Sequence, residues 1–282
     1  MESKEKPMAE KKQFGIMSYS FHGLKNIGVM DIFGYLETVK YRYHLDTADI
    51  WNYMFTSFDD DYVQKVKDAI DERGLTVVNF CCDAAHVWDN DEIIRKANEE
   101  NAWKFINIAK KLEAKTIRID VGIREDQASE EQLQYVSAKY KEYCQAAAEF
   151  GAKLGPENHW GASWGKDLIE ELFKRVDEPN FGLLLHLGNW FGDEDEKDAC
   201  DRYFAPRAMH IHVNYEHCVD ADRVIPPLME AGYSGCWSIE SHKGTNEYNN
   251  VAFQIAQLKR VVNAYNYDGG WKIAPPSVLP GT

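Results

Sequence analysis

Short apolar runs of strand length alternate with amphipathic stretches of helix length along nearly the whole chain. Eight runs can be placed, at 14–18, 45–50, 76–81, 116–121, 153–157, 182–186, 209–213 and 237–240. Between them apolar residues recur at i, i+3 and i+4, the spacing of a helix packed on a sheet. These stretches predict helices over 31–41, 60–73, 90–112, from Ser129 to about Phe150, and over 166–176, 193–204, 220–231 and 245–264. Ser129 with Gln132 makes a capping box, and Gly74, Gly151 and Gly232 stand where helix C-caps are expected. Strands alternating with helices imply parallel pairing through right-handed crossovers. Eight repeats predict a single α/β domain over 13–264, a (β/α)8 TIM barrel. An open doubly wound sheet is the alternative. No G-x-G-x-x-G follows the first strand, which weakens a dinucleotide-binding version of it.

In a closed parallel barrel, catalytic side chains come from the C-terminal strand ends and the loops behind them. Here those ends are polar: Glu157-Asn158-His159-Trp160 after the fifth run, His186 to Trp190 after the sixth, His210 to Asn214 in the seventh, Ser238 to His242 in the eighth. Side chains two apart share a face of a strand. His210, His212 and Asn214 therefore point one way, towards the barrel axis, while Met209, Ile211 and Val213 face the helices. The same alternation groups Ser238, Glu240 and His242. Two glutamates and two or three histidines would then converge, and a divalent cation matches such mixed oxygen and nitrogen donors. A strand-end histidine is also a common structural hydrogen-bonding residue, and His210 and His242 are open to that reading. Trp51, Trp160 and Trp190 are either core aromatics or walls of a sugar site.

The chain has 282 residues, 44% of them hydrophobic, enough for a large core. Its net charge of −14 disfavours nucleic acid and anionic membrane surfaces. The cysteines form no CxxC pair and read as free thiols of a reducing, cytoplasmic compartment. Residues 1–12 are charged and read as a disordered tail or expression remnant, and 265–282, rich in Gly and Pro, as an irregular extension. No apolar run approaches the ~20 residues that span a bilayer.

Four stretches carry a family resemblance: Glu157-Asn-His-Trp-Gly161, Gly182-Leu-Leu-Leu-His-Leu-Gly-Asn-Trp190, His210-Ile-His-Val-Asn214 and Gly232-Tyr-Ser-Gly-Cys-Trp-Ser-Ile-Glu240. In order and spacing, over 13–264, they resemble the xylose isomerase-like sugar phosphate isomerase/epimerase superfamily. The resemblance implies one divalent metal, manganese first, with zinc, cobalt, iron or magnesium as others, held by Glu157, His186, His212 and Glu240. It departs at His186, where the family has Asp, at Asn214, where it has Lys, and at Cys218, where it has Arg. It implies a carbonyl sugar or sugar derivative as substrate, with Glu157 and Glu240 exchanging protons next to the carbonyl through an enediolate. His159, His86, Trp160, Asn189, Trp51 and His210 are the implied substrate contacts, His159 and His86 also as acids. Isomerisation or epimerisation follows. A keto-glycoside lyase or deglycosidase on the same barrel is the alternative, followed by a non-catalytic relative and, against the charge, an apurinic endonuclease-like hydrolase. Homo-oligomers are common in the family.

Overall fold

The computed structural model describes residues 12–266 together with 270 and 271. Eight parallel strands form the wall: β1 (Phe14–Ile16), β2 (Thr47–Trp51), β3 (Thr76–Cys82), β4 (Thr116–Ile119), β5 (Lys153–Gly155), β6 (Leu183–His186), β7 (Ala208–Val213) and β8 (Trp237–Ile239). Continuous ladders join β2-β3-β4-β5 and β1-β8-β7-β6. Single-residue parallel bridges close the two seams between these halves. Met17 meets Asp49 at one seam; Leu154 meets Phe181 and Glu157 meets Leu184 at the other.

Side chains finish what the backbone leaves open. At the β1–β2 seam the buried Tyr35 hydroxyl lies 2.6 Å from Ile16 O and 2.9 Å from Asp49 O, and it accepts the Asp49 N–H at 2.8 Å. At the other seam β5 and β6 approach closely because two glycines face each other. A Cβ on Gly155 would lie 1.8 Å from Gly182 O.

The helices pack outside: α1 (His22–Asn26), α2 (Ile32–Glu37), α3 (Asp60–Glu72), α4 (Glu92–Lys111), α5 (Glu130–Ala148), α6 (Lys166–Val176), α7 (Glu194–Phe204), α8 (Tyr215–Val219), α9 (Ala221–Glu230) and α10 (Glu247–Ala264). Their apolar stripes bury as the spacing requires: α3 covers Val63, Val66, Ala69 and Ile70, and α6 covers Leu168, Ile169, Leu172 and Val176. Each fully buried aliphatic side chain contributes roughly 1.5–3 kcal/mol before entropy is counted. Ser129 and Gln132 form the capping box expected of them, and Asp193 with Glu196 forms another at α7.

Several boundaries move. The helix expected over 31–41 ends at Glu37 and continues as a wider π-type turn over Thr38–Arg42. The stretch from Tyr215 holds two helices, because Asn214 caps a short one ahead of α9. Within the segment read as an irregular extension, Tyr265–Asn266 (β9) pairs antiparallel with Gly270–Trp271 (β10); the rest of that extension and residues 1–11 lie outside the described residues. All six cysteines are free thiols. No helix among the described residues is long and apolar enough to cross a membrane.

Candidate functional site

The barrel interior carries two layers. An apolar plug of Met17, Cys81, Leu184 and Met209 is separate from the large core under the helices. Met209 was expected to face the helices. The β6–β7 register slips there, Leu183 pairing with Ala208 and Leu184 with His210, and the bulge turns Met209 inward with its neighbour.

Beside this plug lies a buried polar network centred on Asp49. Its Oδ2 accepts from His210 Nε2 at 2.8 Å, His212 Nε2 at 3.0 Å and Ser238 Oγ at 2.6 Å, and its Oδ1 accepts from Asn79 Nδ2 at 2.9 Å. Burial alone would raise the Asp49 pKa, but His210 and His212 outweigh it and hold the carboxyl well below the usual range. His210 is 1% exposed and spent on this carboxylate. The expectation that it touches substrate is therefore replaced by a structural role.

With its Nε2 committed to Asp49, His212 presents Nδ1 upward. That atom is buried and has no hydrogen-bonded partner. It lies 3.4 Å from Glu240 Oε2 and 3.7 Å from Glu157 Oε1. His186 Nδ1 lies 3.0 Å from Glu157 Oε1 and 3.2 Å from Glu240 Oε2. Four donors at about 2.0–2.1 Å from a common centre stand about 3.3–3.4 Å apart in a tetrahedron, and these four separations bracket that value. Glu157, His186, His212 and Glu240 can thus hold one divalent ion. An unpartnered imidazole nitrogen beside two carboxylates is a donor set that fits a divalent cation. Both glutamates are buried, which raises their pKa values, yet neighbouring histidines outweigh burial and depress both. For Glu157 these are chiefly His159, His186 and His212, for Glu240 chiefly His212.

The end of β6 at His186 and the loop after it are tightly set. Asn158 donates from Nδ2 to His186 O at 2.8 Å and accepts the His186 N–H on Oδ1 at 2.7 Å, replacing a rung of strand pairing with a side chain. Gly188 has φ +75° and sits against the His217 ring, where a Cβ would lie 2.6 Å from Cε1. The buried Asp201 accepts from Gly188 N at 2.9 Å and Trp190 Nε1 at 2.6 Å. Trp190 is accordingly a core aromatic, stacked on Phe204.

The remaining expected contacts ring the mouth. His159, His86 and Trp160 line a cavity of about 130 Å³ together with Asp83 and Asp120. Asn189 lines another, of about 280 Å³, with His186, Asn214 and His242. Trp51 is half-buried and donates from Nε1 to Asp83 Oδ2 at 2.7 Å. His159 Nδ1 stands 3.1 Å from Asp120 Oδ2. Burial opposes its protonation, but Glu157 and Asp120 prevail and push its pKa to about 9.

Four residues of this site were not singled out from sequence: Asp49, Arg118, Asp120 and Asp83. The first three lie within apolar runs on alternate positions, so the alternation applied to the seventh and eighth strands would have found them. Asp83 lies just past a strand end and carried no such signal.

A closed parallel barrel with two Glu and two His at its C-terminal rim defines the class of this protein. The family model for the xylose isomerase-like TIM barrel matches residues 43–263, and the chain belongs to that family. Among solved structures, the chain resembles the 3-keto-D-glucoside 4-epimerase YcjR of E. coli, at 16% identity over 89% of this chain and 100% of that one, with a TM-score of 0.71. It is also similar to the probable 3-DHS dehydratase AsbF of Bacillus anthracis (13% identity, 89% and 99% covered, TM-score 0.67). An L-ribulose 3-epimerase is similar too (13%, 90% and 96% covered, TM-score 0.67). At these identities the likeness is one of fold. No curated protein sequence matches the chain significantly.

Proposed function

We propose that this protein is a metal-dependent sugar isomerase or epimerase acting by proton transfer next to a carbonyl. The observation that carries the reading is the pair Glu157 and Glu240, both buried and held ionised, with oxygens clustered on the same two imidazoles. A bound divalent ion supplies Lewis acidity towards a carbonyl and its neighbouring hydroxyl, and manganese or zinc suits this donor set better than magnesium. The protein's part is to place one carboxylate on each side of the reacting carbon. Abstraction by one and return by the other inverts a centre, and return to the adjacent carbon exchanges aldose and ketose. The resemblance in fold to a 3-keto-D-glucoside 4-epimerase and an L-ribulose 3-epimerase supports a carbonyl sugar as substrate.

Glu240→Gln tests the reading. Glutamine keeps the size and one ligating oxygen but cannot take a proton. With metal in excess, the variant should bind a ketose yet lose solvent-deuterium exchange at the α-carbon by about 10²–10⁴-fold. Exchange at the wild-type rate removes Glu240 as the base, and no exchange on any carbonyl sugar with the wild type removes the proposed activity.

A keto-glycoside lyase is the second reading. The His159–Asp120 pair favours it, because a histidine protonated at neutral pH could protonate a leaving oxygen beside Glu157.

A further inference from the structure

Glu157 faces two ways. Its Oε1 lies among His186 and His212, while its Oε2 lies 3.2 Å from Arg118 Nε. Arg118 rises from β4 into the barrel with its side chain 4% exposed. Its Nη1 pairs with Asp83 Oδ1 at 2.8 Å and Asp120 Oδ2 at 2.9 Å. On this side of Glu157 a second set of donors converges: Asp120, Glu157 and His159 each offer a ligand atom within 4.8 Å of the others. One oxygen of this set is unused. Asp120 Oδ1 is buried and has no hydrogen-bonded partner. A carboxylate bridging two donor clusters is the arrangement of a two-metal centre, yet here a guanidinium pairs with the carboxylates of the second cluster.

We propose that Arg118 is a built-in cation standing in for a second metal ion, so that the site takes one divalent ion and no more. The charges agree. The buried Asp120, Glu157 and Glu240 and the part-exposed Asp83 bring four carboxylates together. One divalent ion and Arg118 supply three positive charges, and His159 stands beside them. Without Arg118 four carboxylates face a single divalent ion and are short by two positive charges, and the bridging position of Glu157 draws in a second divalent ion. The guanidinium, held by Asp83 and Asp120, also sets a positive charge 3.2 Å from Glu157 Oε2 and draws that oxygen away from the first ion, which assigns Arg118 a positioning role. A single ion suits proton transfer, whereas in-line displacement at phosphorus commonly uses two. The inference rests on the proposed ion at Glu157, His186, His212 and Glu240.

The test is metal stoichiometry on the full-length chain, stripped with chelator and titrated with Zn²⁺, read by calorimetry and by elemental analysis after desalting. Wild type should hold one ion. Arg118→Met should hold two, the second at least about 100-fold tighter than any second equivalent on wild type, as expected on removing a like charge a few ångströms away. Arg118→Lys keeps the charge and should return to one, and Arg118→Met/Asp120→Asn should lose the added ion. A merely structural arginine predicts loss of metal, never gain. One ion on folded Arg118→Met, or two on wild type, overturns the proposal. No ion on wild type sinks the proposed metal site and the inference that rests on it, whereas one ion on both wild type and Arg118→Met sinks the inference alone. Removing one partner of a buried ion cluster can prevent folding. If Arg118→Met is unfolded in chelator, Zn²⁺ should restore its near-ultraviolet circular dichroism with two ions bound, and failure to do so counts against the proposal.

Discussion

Replacing Asp49 by Asn changes one atom type at the centre of the barrel and should weaken a metal site that Asp49 never touches. The carboxylate accepts four hydrogen bonds, three on Oδ2 from His210, His212 and Ser238 and one on Oδ1 from Asn79. An amide offers one oxygen. Whichever way it is turned, its NH2 meets at least one donor. A hydrogen bond to a charged group is worth about 1.5–3 kcal/mol, and stripping the partner from buried charged groups costs about 3–5 kcal/mol. The first consequence is a loss of stability within that range, measurable by urea unfolding of the metal-free protein. The second is specific. Asp49 accepts the Nε2 proton of His212 and so leaves Nδ1 with its lone pair aimed between Glu157 and Glu240. Outer partners of this kind are worth 10–100-fold in metal affinity. Asp49→Asn, assayed folded by chelator competition near neutral pH, should raise the Kd for Zn²⁺ or Mn²⁺ by that factor. Ser238→Ala, which removes one donor and keeps the carboxylate, should do much less. A folded Asp49→Asn protein with wild-type metal affinity would refute the argument that Asp49 sets the His212 tautomer.

Other expectations are open to direct measurement. His186→Asp, which sets there the Asp that the family resemblance implies, should move metal preference from Zn²⁺ towards Mg²⁺ and Mn²⁺ in competition titrations, since a hard oxygen replaces an imidazole. Gly188→Ala should lower stability by about 1–3 kcal/mol in urea unfolding, because φ +75° and the His217 ring both oppose a Cβ. Burial lifts the pKa of Asp201 to about 7, against the hydrogen bonds from Trp190 and Gly188 that pull it down. The folded state therefore binds more protons than the unfolded state between the ordinary Asp pKa and about 7, and this stabilisation is full below that window and fades as pH rises through it. The wild-type stability minus that of Asp201→Asn should fall across the window, and a flat difference would contradict the shift.

The eightfold alternation was legible because strands and helices impose different periods on apolar residues, and that alone orders the barrel. The convergence of Glu157, His186, His212 and Glu240 was legible because polar residues recur at the C-terminal ends of four successive strands, where a parallel barrel gathers its side chains. What failed has particular causes. Met209 was placed on the helix side because strict alternation assumes an unbroken ladder, and the bulge opposite Leu183 and Leu184 breaks it. His210 was read as a substrate contact because its partner, Asp49, lies 161 positions earlier, and no local pattern joins them. Arg118 and Asp120 were passed over inside an apolar run, although they alternate with Ile117, Ile119 and Val121 as regularly as the histidines of β7.

Side chains reinforce the two seams where the backbone ladders thin to single bridges, and these seams divide the wall into two four-stranded halves. Tyr35 latches one edge and Asn158 the other. The polar interior spans the same divide: Asp49 and Glu157 belong to one half, while His186, His210, His212, Ser238 and Glu240 belong to the other. The groups arranged for chemistry thus double as the clasp of the shell. Ion binding would tighten closure as well as build the site, and amide hydrogens flanking Asp49 and His186 should be the first in the wall to exchange when the ion is withdrawn.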